Sequence, residues 1–193
     1  MSDTPRAADF ADAALRLVVR DGLAGVSYRT VAAEAGWSVG AVQKAFPAKR
    51  DLLEAALRRA REAVPASIDA EPGRPTLHAW LTRLLLGTLP LDDERRRVTL
   101  VGVAFADRAP YDPGLAGILS TWDAQTRGLL GMLFARAVAE GELHPGIDHG
   151  QLARTLLAFA AGLGAQLLYD PAPEPEVHAL VDRAVQALLT PPR

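Results

Sequence analysis

The chain has 193 residues, 49% of them hydrophobic, which is enough for one large domain or two small ones with a substantial core and excludes disorder as the default reading. The absence of cysteine excludes a disulfide framework and a thiolate metal site, and a net charge of −2 excludes a general polycation. No apolar run approaches the roughly 18 residues needed to span a bilayer, and the N-terminal stretch MSDTPRAADFADAAL carries three aspartates and does not read as a signal peptide, so the expectation is a cytoplasmic protein with no membrane partner.

A first helix is predicted over residues 5–21, where Phe10, Ala14, Leu17 and Val18 recur at i, i+4, i+7 and i+8. Gly22 and Gly25 bracket the turn that follows. Ser27 is a candidate N-cap for a second helix carrying Val31, Ala32 and Ala35 inward, and Gly36 ends it, since glycine adopts the left-handed conformation without a Cβ clash. Ser38 then caps a third helix in which Val42 and Phe46, four apart, face inward. Val39, Gly40, Ala41, Gln43, Lys44 and Ala45 are left on a small, flat, slightly basic outer face that could enter a DNA major groove. This is the sequence form of a helix-turn-helix. A fourth helix is predicted to start at Pro47, with Leu52, Leu53, Ala56 and Leu57 inward and Arg58, Arg59 and Arg61 on a solvated face. The stretch PASIDAEPGRP, residues 65–75, breaks the helical pattern and marks a domain junction. Helical patterning resumes over 76–89, 92–108, about 114–140, 149–169 and about 174–189, with Asp92, Asp93 and Glu94 as an acidic first turn. No alternating β pattern occurs. The reading is an all-α protein of about nine helices: a helix-turn-helix DNA-binding domain over 1–47, a connecting helix over 48–64 and a larger C-terminal domain over 65–193.

Charge follows the same division. Residues 1–62 hold ten Lys/Arg against eight Asp/Glu, net +2, and residues 63–193 hold eleven against fifteen, net −4. Both lysines, Lys44 and Lys49, fall within the helix-turn-helix stretch.

The run Ser27-Tyr28-Arg29-Thr30-Val31-Ala32, then Ala35-Gly36-Trp37-Ser38-Val39-Gly40-Ala41-Val42, then Phe46-Pro47-Ala48-Lys49-Arg50-Asp51-Leu52-Leu53 resembles the N-terminal signature of the TetR family of transcriptional regulators. The resemblance covers roughly residues 8–57; the remainder agrees in helix count and length only. It implies a homodimeric, all-helical regulator, most simply a repressor, that binds a palindromic double-stranded DNA operator and is released by a small-molecule effector, with no cofactor and no enzymatic activity. Carried over by position, Lys49 meets a phosphate, Arg29 touches backbone or groove edge, and Ser38 opens the recognition helix. Val39, Ala41, Gln43 and Lys44 face the bases, Gly40 permits close approach, and Trp37, Val42 and Phe46 hold the helix pair together. Two departures stand out: the family usually has tyrosine at Gln43 and histidine or an aromatic at Ala45, which shifts DNA contact toward Arg29, Lys44 and Lys49. Ala48 also replaces a frequent Ser or Thr cap.

In the C-terminal domain, the last two helices carry more apolar and small residues than one face each can hold. A two-fold four-helix interface is therefore expected, with Phe159, Gly162, Leu163, Gln166, Val177, Leu180, Val181 and Val185 in it; the other reading is that these residues complete the subunit core. Pocket candidates are Trp80, Leu84, Phe105, Trp122, Met132 and Phe134, with Gln125 or His78 as polar handles. An enzyme is the rival class, but the four histidines show no HExxH spacing and no GxSxG or phosphate-loop motif occurs. His144, His149, Glu142 and Asp148 form the nearest approach to a metal cluster and read as solvated loop residues. The alternative to a regulator is a helical protein-interaction module with weak or lost DNA binding, for which Ala45 and the modest basic surplus argue.

Overall fold

The computed structural model describes residues 4–62 and 75–190; side chains are described from Arg6 to Ala60 and from Pro75 onward. The junction expected at 65–75 falls, apart from Pro75, outside the described residues, as does the side chain of Arg61. Among the described residues there are nine α-helices and two 3-10 turns, with no strand: α1 Thr4–Asp21, α2 Tyr28–Ala35, α3 Val39–Ala45, α4 Lys49–Glu62, α5 Leu77–Thr88, α6 Asp93–Arg108, α7 Pro113–Ala139, α8 His149–Tyr169 and α9 Glu174–Leu189. The all-α expectation holds, and α8 falls on the predicted residues.

The helices gather into two compact units. The first comprises Met1–Val64 together with Leu100–Leu119, and the second Pro65–Thr99 together with Ser120–Arg193. Grouping the C-terminal half of α6 and the start of α7 with the N-terminal helices was not legible in the sequence.

In the first unit α1 is the central post. Its stripe of Phe10, Ala14, Leu17 and Val18 is buried, and it packs on α4, α2 and α3. The inward face of α4, with Leu52, Leu53, Ala56, Leu57 and Ala60, is buried as its periodicity predicts. Its outward Arg59 pairs with Asp12 of α1 at 2.8 Å. Val101, Phe105 and Leu115 are buried in the same unit. Helix α4 begins at Lys49, two residues after the start expected at Pro47. The reason is local. Proline disfavours a helical conformation in the residue before it, Phe46 is accordingly extended at φ −130°, ψ 90°, and the chain needs Pro47 and Ala48 to turn before the next helix can start.

The second unit is built on a cluster of Leu77, Leu81 and Leu85 from α5, Leu130, Phe134 and Ala137 from α7, Leu152, Ala153, Leu156 and Leu167 from α8, and Val177, Val181 and Val185 from α9. Helix α8 is long and apolar enough, by length and composition, to cross a bilayer, yet its buried leucines belong to this cluster. Side chains cap the helices: Thr76 accepts from the Ala79 N–H, Asp92 from the Arg95 N–H at 2.7 Å, and Asp148 from the Gln151 N–H at 2.9 Å. The Arg95 N–H, with the guanidinium of the same residue, holds the Asp92 carboxyl below the usual carboxylate range.

Candidate nucleic-acid interface

The turn between α2 and α3 is specified residue by residue. Ser27 Oγ accepts from the Thr30 N–H at 3.1 Å while Thr30 Oγ1 accepts from the Ser27 N–H at 2.8 Å, a reciprocal cap that starts α2. Gly36 ends it in the left-handed region at φ 71°, ψ 31°. Ser38 then accepts from the Ala41 N–H at 3.2 Å and opens α3. At the far end of α3, the Tyr28 hydroxyl donates to the Phe46 carbonyl at 3.0 Å, tying the close of the third helix to the start of the second. Thr30 and Tyr28 escaped the sequence reading, although the S-x-x-T spacing was a legible signal for the former.

Position relative to the rest of the unit is set by burial and charge. Val31, Ala32, Val42 and Phe46 are buried, so α2 and α3 share one apolar seam with α1. Glu34 on α2 lies between two cations of α1: its oxygens accept from Arg16 Nε at 2.9 Å and from an Arg20 guanidinium N–H at 3.2 Å. Those bonds, Arg16 first, hold the Glu34 carboxyl below its ordinary range, while Asp21 and Glu34 raise Arg20.

Trp37 corrects one expectation. It is 40% exposed rather than buried in the helix pair. Standing in the turn just after the left-handed Gly36, it meets α1 instead: its ring lies edge-on to Phe10 at 6.1 Å, and the Arg6 guanidinium sits 4.9 Å from its centroid.

The outer face of α3 has the composition expected of it. Val39, Gly40, Gln43 and Lys44 are exposed, Ala41 and Ala45 half-buried. Gly40 has open space where a Cβ would stand. Arg29, Lys44 and Lys49 are exposed and make no hydrogen bond or ion pair among the described residues, in contrast to Arg16, Arg20 and Arg59 of the same unit. The unit thus keeps three cations uncommitted around α3 and the first turn of α4. An ammonium beside the unsatisfied N–H groups of a helix start is a ready phosphate site.

The C-terminal site residues divide differently from expectation. Phe105 is fully buried in the first unit, whereas Trp80, Leu84, Trp122, Gln125 and Met132 lie in the second. Trp80 and Leu84 are half-buried against the second unit's core, Trp122 is half-buried, and Gln125 and Met132 are exposed, Met132 by 66%. Phe105 is thus grouped apart from the other five.

Of the interface set, Phe159 and Leu163 are half-buried and Gly162, Gln166 and Leu180 exposed, but Val177, Val181 and Val185 are buried in the subunit core and are not open to a partner. Their i, i+4, i+8 spacing is the seam by which α9 packs on α5. A hollow of about 410 Å³ between the end of α8 and the start of α9 is lined by Leu163, Gln166, Leu180 and Arg183. The four residues considered as a metal cluster have separate structural roles: Glu142 accepts from the Leu77 N–H, His144 Nδ1 from the Gly146 N–H, Asp148 caps α8, and His149 lies against Phe134 at 5.9 Å.

Sequence profiles match both parts of the chain. Residues 10–56 match that of "Bacterial regulatory proteins, tetR family", and residues 75–190 that of "BetI-type transcriptional repressor, C-terminal". The nicotine-responsive transcriptional repressor HdnoR of Paenarthrobacter nicotinovorans is 27% identical, covering 98% of this chain and 96% of its own. A transcriptional regulator from Rhodococcus sp. Rha1 superposes with a TM-score of 0.81 at 29% identity, over 95% of each chain. The multidrug binding protein EbrR, crystallised with ethidium, superposes with a TM-score of 0.70 at 27% identity, over 96% of this chain and 99% of its own.

Proposed function

The chain belongs to the TetR family of transcriptional regulators, and on that premise we propose that it is a cytoplasmic homodimeric repressor that binds a palindromic operator through α3 and is released by a small-molecule effector. Residues 1–47 form the DNA-binding domain in this reading, 48–64 the connecting helix and 65–193 the effector and dimerisation domain.

The observation that carries the reading is the grouping of exposed cations at the helix-turn-helix: among the described residues, Arg29, Lys44 and Lys49 stand without partners around α3 and the start of α4, while Arg16 and Arg20 of α1 are held by Glu34. Val39, 39% exposed, offers an apolar contact suited to a thymine methyl, and Gln43 can bridge an adenine edge. Ser38 and Ala41 lie at the same helix start, and Gly40 lets the backbone approach. Lys49 and Arg29 hold phosphates on either side. Two such helices must sit about 34–36 Å apart to reach successive major grooves, which a two-fold pairing of subunits supplies. Phe159, Gly162, Leu163, Gln166 and Leu180 form the pairing surface, with small residues at the closest approach. The effector is a largely apolar, aromatic compound, a class supported by the names of the nicotine-responsive relative and the ethidium-bound structural neighbour; Trp80, Leu84 and Trp122 are its candidate contacts.

Binding of Lys49→Ala to DNA from upstream of the protein's own gene, across a salt series, tests the reading. Affinity falls for every sequence, and the slope of log affinity against log salt drops by about 1. Parent-like affinity of the variant at all salt concentrations removes Lys49 from the interface.

A further inference from the structure

A cleft of about 590 Å³ lies within the first unit, with no residue of α3 in its walls. Its walls come from four places in the chain: the turn Asp21–Ala24 after α1, the first turn of α4 with Lys49, Arg50 and Leu53, the end of α6 with Ala104, Asp107 and Arg108, and the start of α7 with Asp112 and Leu115. The volume is that of a small-molecule site.

Three cations and three acids line it, but the acids are largely committed. Asp21 accepts from Arg20 Nε at 3.0 Å, and Asp112 Oδ1 accepts from the N–H groups of Gly114 and Leu115 at 3.0 and 3.2 Å, capping α7. Lys49 and Arg108 make no hydrogen bond or ion pair among the described residues, and Arg50 reaches only Asp51, at 3.8 Å. Asp107 is the one lining acid without a partner among the described residues. Two uncommitted cations, Lys49 and Arg108, with Arg50 held only by the long 3.8 Å pair to Asp51, therefore stand against one uncommitted carboxylate, beside an apolar wall that includes Leu53 and Leu115. The stem of Arg50 runs over Gly114, where a Cβ would come within 3.0 Å of Arg50 Cδ, so the absent side chain gives the guanidinium its course.

We propose that this cleft binds an amphipathic anion: a carboxylate or phosphate head held by Lys49, Arg50 and Arg108, on a short apolar body laid against Leu53 and Leu115. Charge-assisted bonds to a divided set of cations hold the head, and burial of the body supplies the rest. If Lys49 also meets a DNA phosphate, which rests on the function proposed above, the occupant and the operator compete for one ammonium. The anion then weakens DNA binding from a site separate from the second unit's effector contacts.

Calorimetric titration of the DNA-free full-length protein with octyl phosphate, octanoate, inorganic phosphate and octanol tests the site. Octyl phosphate or octanoate binds, and which of them binds tighter identifies the head; inorganic phosphate binds more weakly than octyl phosphate, and octanol more weakly than either octyl anion. Arg108→Gln lowers the affinity for the octyl anion by roughly tenfold, as loss of one charge-assisted contact requires. Asp107→Asn raises it, an outcome that damage to the fold would not produce. Octanol binding as tightly as the anions overturns the proposal, as does parent-like affinity in both variants. In a DNA-binding assay, octyl phosphate lowers the parent's affinity and has less effect on Arg108→Gln; DNA affinity unchanged at saturating octyl phosphate overturns the competition. A parent that binds no DNA at any salt refutes the regulatory reading and leaves the calorimetric result to decide the cleft alone.

Discussion

Gly36 and Gly40 lie four residues apart and make opposite predictions for the same substitution. Gly36 is at φ 71° with nothing within 4 Å of a Cβ position, so alanine there meets no neighbour but does meet its own backbone. The left-handed region costs an alanine about 1–2 kcal/mol, and the loss of unfolded-chain entropy returns about 0.4–1 kcal/mol. The net is a destabilisation of about 1 kcal/mol, or roughly 2–4 °C in Tm for a chain of this size. Gly36→Asn is milder, because asparagine tolerates that region. Gly40 has helical backbone and equally open space. Alanine there stabilises the helix by about 0.5–1 kcal/mol and raises Tm. The added methyl stands on the face assigned to DNA, however, so operator affinity falls by roughly tenfold, the factor carried by about 1.4 kcal/mol. Thermal unfolding by circular dichroism and operator binding by fluorescence anisotropy read the two effects separately. A Gly40→Ala protein that is more stable and binds DNA as tightly as its parent refutes close backbone approach at that position, and an undiminished Tm in Gly36→Ala refutes the strain argument.

Glu34→Gln removes the carboxylate that joins α2 to Arg16 and Arg20; because the folded-state carboxyl is held below its ordinary range, its stabilisation is complete above about pH 4.3 and is lost as pH falls through the depressed folded value. The Tm gap between parent and variant is therefore widest near neutral pH and closes in acid, and a gap that widens on acidification contradicts the pairing. Tyr28→Phe deletes the bond to the Phe46 carbonyl and lowers stability by about 1 kcal/mol in chemical denaturation, with no change expected in the subunit association constant. Val181→Ala removes two methyl groups from the second unit's core and costs about 2 kcal/mol of stability. Leu180→Arg, one residue away on the exposed face, leaves the fold intact and weakens dimerisation at least tenfold by sedimentation, since two-fold symmetry brings the new charge in twice; a monomeric parent would remove the interface altogether.

The helix-turn-helix was readable because its local rules agree. A serine before each short helix, a glycine where the backbone must turn left-handed and two inward residues four apart each have one favoured outcome. Ser27, Gly36, Ser38, Val42 and Phe46 stand as those rules require. The start of α4 lies two residues beyond its predicted position because two rules compete at Phe46-Pro47: proline is welcome in a first helical turn, and it also expels its predecessor from the helix. Geometry between distant segments carried no such signal. Nothing in the periodicity of α6 says that Val101 and Phe105 group with the N-terminal helices while residues up to Thr99 do not. The cleft lined by Asp21, Lys49, Arg108 and Asp112 was illegible for the same reason, since its charges come from segments of unrelated pattern far apart in the chain and meet only in the folded unit.

Helix α9 shows why apolar patterning names a buried face without naming what buries it. Val177, Val181 and Val185 form one stripe, and Leu180 lies beside it; the stripe is sealed by α5 of the same chain, whereas Leu180 is 40% exposed. Hydrophobic transfer is non-directional, so a valine against its own α5 and a valine against a second subunit leave the same trace in the sequence. What separates them is how many helices the subunit itself supplies. Here α5, α7, α8 and α9 close around one cluster and use the valines, and small residues are left exposed outside it: Ala161 and Gly162 on α8, and Ala179 on α9, which lines the hollow between the two helices. An interface drawn on that remaining surface depends on close backbone approach more than on large apolar side chains. Gly162→Leu, which adds bulk where nothing in the subunit lies within 4 Å of a Cβ, therefore weakens dimerisation while the subunit's Tm, measured at dilutions below the dissociation constant, rises with the better helix former. A variant that dimerises as tightly as its parent places the two-fold contact elsewhere.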